Sequence, residues 1–174
     1  MPAFYSFLFN IVIMNQPQRA MLDTCVFELL ALDENLFSKF DKSTAVSFYG
    51  CKVIREQLRD TPMSKTAGGK KIRVLMLTVY DKLIGKHILP VSDLASYLAI
   101  QYLNEYKGNQ SREKLLDDFI IVAVASIEKL DIVCTDDRRT MASKDAITSY
   151  KKVNSKNGLR TPNILTLKEI EKSL

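Results

Sequence analysis

A single α/β domain built on a short, mostly parallel central sheet is the fold this sequence predicts, and three observations predict it. Short apolar segments such as Ala20-Met21-Leu22 and Ile132-Val133-Cys134-Thr135 end in polar turns, as buried strands do. Stretches with helical spacing of apolar residues separate them, and strands alternating with helices imply parallel pairing with helices on both faces. The length of 174 residues suffices for one sizeable core, and no internal repeat or linker divides it.

Met1 to Met14 is nearly all apolar, and Asn15-Gln16-Pro17-Gln18-Arg19 breaks the run. It is too short to span a bilayer as a helix and lacks the basic leading region and cleavage site of a signal peptide. Residues 1–18 are therefore read as an extension. It comes either from an upstream start codon, with Met14 the natural beginning, or from an added strand or oligomerisation segment. The domain proper is expected over 19–174.

Within it, Ala20-Met21-Leu22 is the first strand, ended by Asp23-Thr24, and Val26 to Leu32 is helical. Ser43 or Thr44 would cap a helix running to about Arg59, with Val46, Tyr49, Val53 and Ile54 on its apolar side, until Asp60-Thr61-Pro62 stops it. Ser64 to Lys71 reads as a flexible basic loop around Gly68-Gly69. Ile72 to Ile84 is a helix, and His87 to Val91 a strand. Ser92 caps a helix from Asp93 to about Tyr106, and Gly108-Asn109-Gln110 turns the chain. Ser111 then starts a helix reaching Glu128, apolar on every face from Phe119 to Ala125 and therefore buried. Asp131 to Thr135 is a strand leading to Asp136-Asp137. A last strand, Asn163 to Thr166, precedes a terminal helix, Leu167 to Ser173, for four to five strands in all.

Composition narrows the function. The hydrophobic and charged fractions, 47% and 26%, are those of an ordinary globular protein, and a net charge of +5 suits either a polyanionic partner or plain solubility. Cys25, Cys51 and Cys134 lack CxxC spacing and suit reduced thiols in a cytoplasmic protein, with a Cys25–Cys134 disulfide left open. The one histidine, His87, falls in an expected strand, as a packed or surface residue, which argues against His-based acid–base chemistry and a His/Cys zinc site. No phosphate-binding P-loop, dinucleotide-binding glycine motif or GxSxG occurs.

Acidic residues carry the remaining chemistry. Ligands of open α/β sheets bind at the carboxyl ends of strands. Asp23 follows one strand and Asp136-Asp137 another; each also suits plain helix capping. Glu56 shares the stripe of Tyr49 and Val53 on the expected helix. Asp117 and Asp118 begin the all-apolar part of theirs, with Asp118 on the face of Ile121, Val122 and Ala125. A buried carboxylate costs several kcal/mol unless donors or a cation satisfy it. Ion pairs with Lys or Arg are one solution. A shared hard cation, Mg²⁺ or Mn²⁺, is the other, and it explains several acids meeting at one sheet edge.

With these residues in place, the sequence resembles the PIN domain, and within it the VapC-type toxins of prokaryotic toxin–antitoxin pairs. LDTCVFE resembles the opening strand and first acid, Asp23; VIREQL resembles the second-acid helix and places Glu56. DDFIIVAVAS resembles the D-x-x-I-x-A-x-A helix and selects Asp118 over Asp117, while IVCTDD resembles the T-x-D strand end and selects Asp137 with the hydroxyl of Thr135. The match runs from about Arg19 to Leu174. It departs at Cys25, where many members carry Asn.

The resemblance implies a Mg²⁺- or Mn²⁺-dependent ribonuclease in which Asp23, Glu56, Asp118 and Asp137 hold one or two metals, with Thr135, Asp136 and Asp117 in support. Products would carry 5′-phosphate and 3′-hydroxyl ends. It implies RNA as substrate, a small antitoxin as partner, a homodimer, no membrane association and a cytoplasmic location. The homodimer surface would come from the helices between Ile72 and Tyr106. Arg138, beside the site, and Lys65, Lys70, Lys71 and Arg73, in and after the glycine loop, are candidate RNA contacts; the lysines equally suit a solvated loop. Two alternatives stand: a housekeeping RNA-processing nuclease without antitoxin, and a non-catalytic RNA-binding module, whose expected mark is the loss of an acid.

Overall fold

The computed structural model describes residues 16–174, so the expectations for Met1 to Met14 lie outside the described residues. Five parallel strands form the central sheet: β1 (Gln18–Leu22), β2 (Val46–Cys51), β5 (Ile88–Leu89), β6 (Ile132–Cys134) and β7 (Asn163–Leu165), in the order β5-β2-β1-β6-β7. Helices cover both faces, as the alternation of elements predicts. They are α1 (Thr24–Leu32), α2 (Glu34–Lys42), α3 (Lys52–Asp60), α4 (Ile72–Ile84), α5 (Asp93–Glu105), α6 (Arg112–Ile127), α7 (Lys144–Lys156) and α8 (Leu167–Glu171). Two helical groups emerge, α1 to α4 and α5 to α7, and α3 touches α6 to join them.

The stretch Ser43 to Arg59 is not one helix. Val46–Cys51 forms β2, in which buried Val46, Phe48 and Gly50 alternate with half-buried Ser47 and Tyr49. That period of two, carried by β-branched and aromatic residues, is a strand's and outweighs the helical spacing read across the same residues. Phe48 stacks on Phe40 of α2 with ring centroids 5.1 Å apart. Gly50 is required: a Cβ there would approach the Tyr80 Oη to 2.6 Å. The helix begins only at Lys52, with Cys51 as its N-cap.

Other departures are smaller. The basic loop is a two-stranded antiparallel hairpin, β3 (Thr66–Ala67) and β4 (Lys70–Lys71), turned by Gly68 and Gly69 at φ 54° and 76°. Such angles suit a two-residue hairpin turn and strain any residue with a Cβ. Helices α2 and α7 were not anticipated, although both have N-caps: Asp33 accepts from the Leu36 N–H at 2.9 Å and Ser143 from that of Ala146 at 3.2 Å. Helix α6 is buried throughout Ile121 to Ala125, as its sequence requires.

The chain proceeds from β1 outward to β2 and β5, then returns past β1 to add β6 and β7. The reversal puts the topological switch point between β1 and β6, whose carboxyl ends are Leu22 and Cys134. An open α/β sheet offers its ligand crevice there.

Candidate acid site at the switch point

Asp23 continues from β1, its N–H donating to the Cys134 carbonyl at 2.9 Å before the chain turns into α1. Its side chain caps that helix, Oδ1 accepting from the Thr24 N–H at 2.6 Å. Oδ2 accepts from the Thr135 hydroxyl at 2.7 Å and from the Cys25 thiol at 3.2 Å. The residue is only 6% exposed. Burial pushes its carboxyl above the ordinary aspartate value; the three donors oppose that rise and the Asp137 charge adds to it.

Thr135, fully buried at the end of β6, links the first acid to the next: its Oγ1 also accepts from the Asp137 N–H at 3.0 Å. Asp137 turns the chain through its own carboxylate, which accepts from the Arg139 N–H at 2.8 Å and from the N–H and hydroxyl of Thr140 at 3.0 and 2.7 Å. Partial burial works against its charge, but these donors hold it below the ordinary value. The Thr140 hydroxyl also contacts Asp118 Oδ2. Burial raises the Asp118 carboxyl to about 7. Thr140 works against the rise, and the negative charges of Asp23, Asp137 and Asp117 add to it. A chain Asp23–Thr135–Asp137–Thr140–Asp118 thus crosses the mouth of the switch point.

The sheet and α6 bring Asp23, Asp118, Asp137 and Thr135 together, and Glu56 is not among them. Its side chain is 51% exposed and pairs with Lys52 at 3.5 Å. The cause is helical phase. With α3 starting at Lys52, the inward positions are Ile54 and Leu58, and Glu56, two residues from each, lies about 200° round the helix from both, on the outward side. Gln57 takes the site-facing place instead, its Oε1 accepting from the Thr24 hydroxyl and its Nε2 donating to Asp117 Oδ2 at 3.3 Å. Asp136 turns away to accept from the Leu167 N–H at 3.2 Å, in the first turn of α8.

Among the basic candidates, exposed Arg138 lines an open cavity of about 240 Å³ beside Thr135. Lys65 pairs with Glu28 at 2.5 Å, and Arg73 Nε donates to the Thr61 carbonyl at 2.5 Å. Lys70 and Lys71 are exposed on the hairpin. His87 stacks on Tyr49, and all three cysteines are free thiols, so no Cys25–Cys134 disulfide forms. Gln57 and Thr140 escaped the sequence reading. The D-x-x-T spacing of Asp137 and Thr140 is an Asx-turn signal that could have disclosed the second.

Among the described residues, no Lys or Arg forms a salt bridge to Asp23, Asp118 or Asp137. Nor are three acidic, His or Cys side chains there gathered into a ready-made ion cage, since threonine hydroxyls lie between the acids. The donor set of hard carboxylate oxygens nonetheless fits Mg²⁺ or Mn²⁺ in kind.

The described structure is similar to a chain of FitAB bound to an IR36 DNA fragment, at a TM-score of 0.53 and 18% identity, over 85% of this chain and 94% of that one. The fold is shared. At that identity the likeness shows the fold alone. A chain of VapBC2 from Rickettsia felis, bound to a DNA fragment from their promoter, also matches, at a TM-score of 0.49 and 14% identity, over 86% of this chain and 98% of that one. No protein-family model matches the sequence, and no curated protein does.

Proposed function

We propose that the protein is a divalent-cation-dependent ribonuclease of the PIN type, acting at the switch point through Asp23, Asp118 and Asp137. The observation that carries this is the meeting of three mutually repelling carboxylates, none of which forms a salt bridge among the described residues. A site so charged is suited to Mg²⁺ or Mn²⁺. The chemistry such a cation supplies when bound is polarisation of a phosphate oxygen and acidification of a water. Asp23 and Asp118 are the principal ligands and Asp137 the third. Thr135 orients Asp23 through its hydroxyl, as groups behind a metal ligand do. Thr140 sets Asp118 against Asp137. Arg138, which lines a cavity with Thr135, would grip a phosphate of the RNA.

The motif resemblance, together with the fold likeness to a FitAB chain, supports assigning the protein to the toxin half of a toxin–antitoxin pair, with a small antitoxin as partner. The exposed Leu94, Tyr97 and Ile100 of α5 would form a homodimer contact. Among the described residues no helix is long and apolar enough to cross a membrane.

A second reading, an RNA-binding module of the same fold without hydrolysis, gains from one observation: α3 turns Gln57, not an acid, toward the site. Incubating the protein with a mixed RNA pool, with Mn²⁺, Mg²⁺ or EDTA, separates the two. Cleavage that needs metal and disappears in Asp23→Asn is expected; metal-independent retention of intact RNA would favour the module.

A further inference from the structure

Gln57 bridges two parts of the acid site that no other described side chain joins. Its carbonyl oxygen accepts from the Thr24 hydroxyl, and Thr24 donates its N–H to Asp23 Oδ1 at 2.6 Å. Its amide nitrogen donates to Asp117 Oδ2 at 3.3 Å, next to Asp118. One neutral side chain therefore spans from the N-terminus of α1 to the acidic turn of α6. Glu56 shares none of these contacts and pairs with Lys52.

We propose that Gln57 is the residue through which α3 serves the site, as a positioning residue that tethers Asp117 and adds no charge of its own there. Asp23, Asp118 and Asp137 are then left to receive one cation. The inference deepens the cation-dependent reading above and rests on it. The physical ground is the amide's double character. It donates to Asp117 and accepts from Thr24 at once, which a carboxylate at 57 is unable to do. A glutamate there would face Asp117 with like charge and no proton between them, a repulsion that a bound cation relieves. Gln57 thus favours the cation-free fold and weakens cation binding, because the affinity of oxygen sites rises with the number of charged ligands.

The test is calorimetric titration of Mn²⁺ into the full chain near neutral pH, comparing the parent with Gln57→Glu, Glu56→Gln and Asp23→Asn. Gln57→Glu should tighten Mn²⁺ about tenfold, and should lower the melting temperature when metal is absent. Glu56→Gln should leave both quantities essentially at the parent's values. If Glu56→Gln weakens Mn²⁺ binding while Gln57→Glu changes nothing, Glu56 is the donor and the proposal is overturned. Should Gln57→Glu fail to fold without metal, refolding in Mn²⁺ decides: rescue by the ion supports the proposal, and no rescue overturns it. Binding that survives Asp23→Asn, or is absent from parent and Gln57→Glu alike, defeats the cation reading itself. Binding lost in Asp23→Asn yet indifferent to Gln57→Glu defeats only the role given to Gln57.

Discussion

Burial, with Thr140 opposing and Asp23, Asp137 and Asp117 contributing their charge, lifts the Asp118 carboxyl to about 7 in the folded chain, whereas an unfolded aspartate titrates near ~4. Between those values the native state holds more protons than the unfolded one. Stability from this group is therefore fully present below about pH 4 and is lost as pH rises toward 7. Asp118→Asn should accordingly stabilise the metal-free protein at pH above 7 by about 1–3 kcal/mol and hardly at all near pH 4. Urea melts in EDTA at the two pH values measure this, and a variant less stable than the parent at the higher pH would contradict it. Added Mn²⁺ should flatten the parent's pH dependence if the acids hold the ion. Asp23 and the pairs Asp117-Asp118 and Asp136-Asp137 stand out in the sequence because each lies next to an apolar segment, and only the family resemblance selects Asp118 and Asp137 within the pairs. The sequence places the second acid at Glu56, whereas Gln57, one position and about 100° further round the helix, takes the site-facing place.

At the scale of elements, the misread segment was β2. Its residues Val46 and Tyr49 continue the helical spacing of Val53 and Ile54 in α3 by coincidence, while the aromatic, β-branched run ending in Gly50-Cys51 belongs to a strand packed beneath Tyr80. Gly50→Ala tests this packing. With 2.6 Å between the new Cβ and the Tyr80 Oη, a loss of about 1–3 kcal/mol is expected from overpacking, measured as a shift in the urea midpoint with unchanged slope. The hairpin β3–β4 calls for a different measurement. Two lysines carried on a Gly-Gly turn touch nothing in the core, so Lys70→Glu with Lys71→Glu should leave the melting temperature in place. If the hairpin grips RNA, the pair should weaken binding and reduce the slope of log affinity against log salt by about 2. An unchanged slope would make it a solvated ornament of the fold. Helix α7 went unread because its amphipathic pattern, Ala146, Tyr150 and Val153, is spread thinly among lysines and serines.

For the whole molecule, the parallel sheet was legible from the alternation of its elements, but neither the strand order nor the outward surface was, since both depend on tertiary packing. Tyr97, 62% exposed beside Leu94 and Ile100, gives the outward surface its sharpest test. Tyr97→Asp should convert a homodimer into a monomer by light scattering without lowering the metal-free melting temperature of the monomeric unit; a parent that is already monomeric at high concentration would remove the dimer from the proposal. The strand order has a consequence in time. The hydrogen bond between Thr135 and Asp23 spans 112 residues of sequence, and β6 must slot between β1 and β7 before the three acids meet. Contacts so distant along the chain close late, because the entropy of the intervening loop opposes them until the local helices are in place. A nascent chain still lacking its last strands would carry Asp23 with nothing opposite it. The acid site would then assemble only after β6 has emerged from the ribosome and paired with β1.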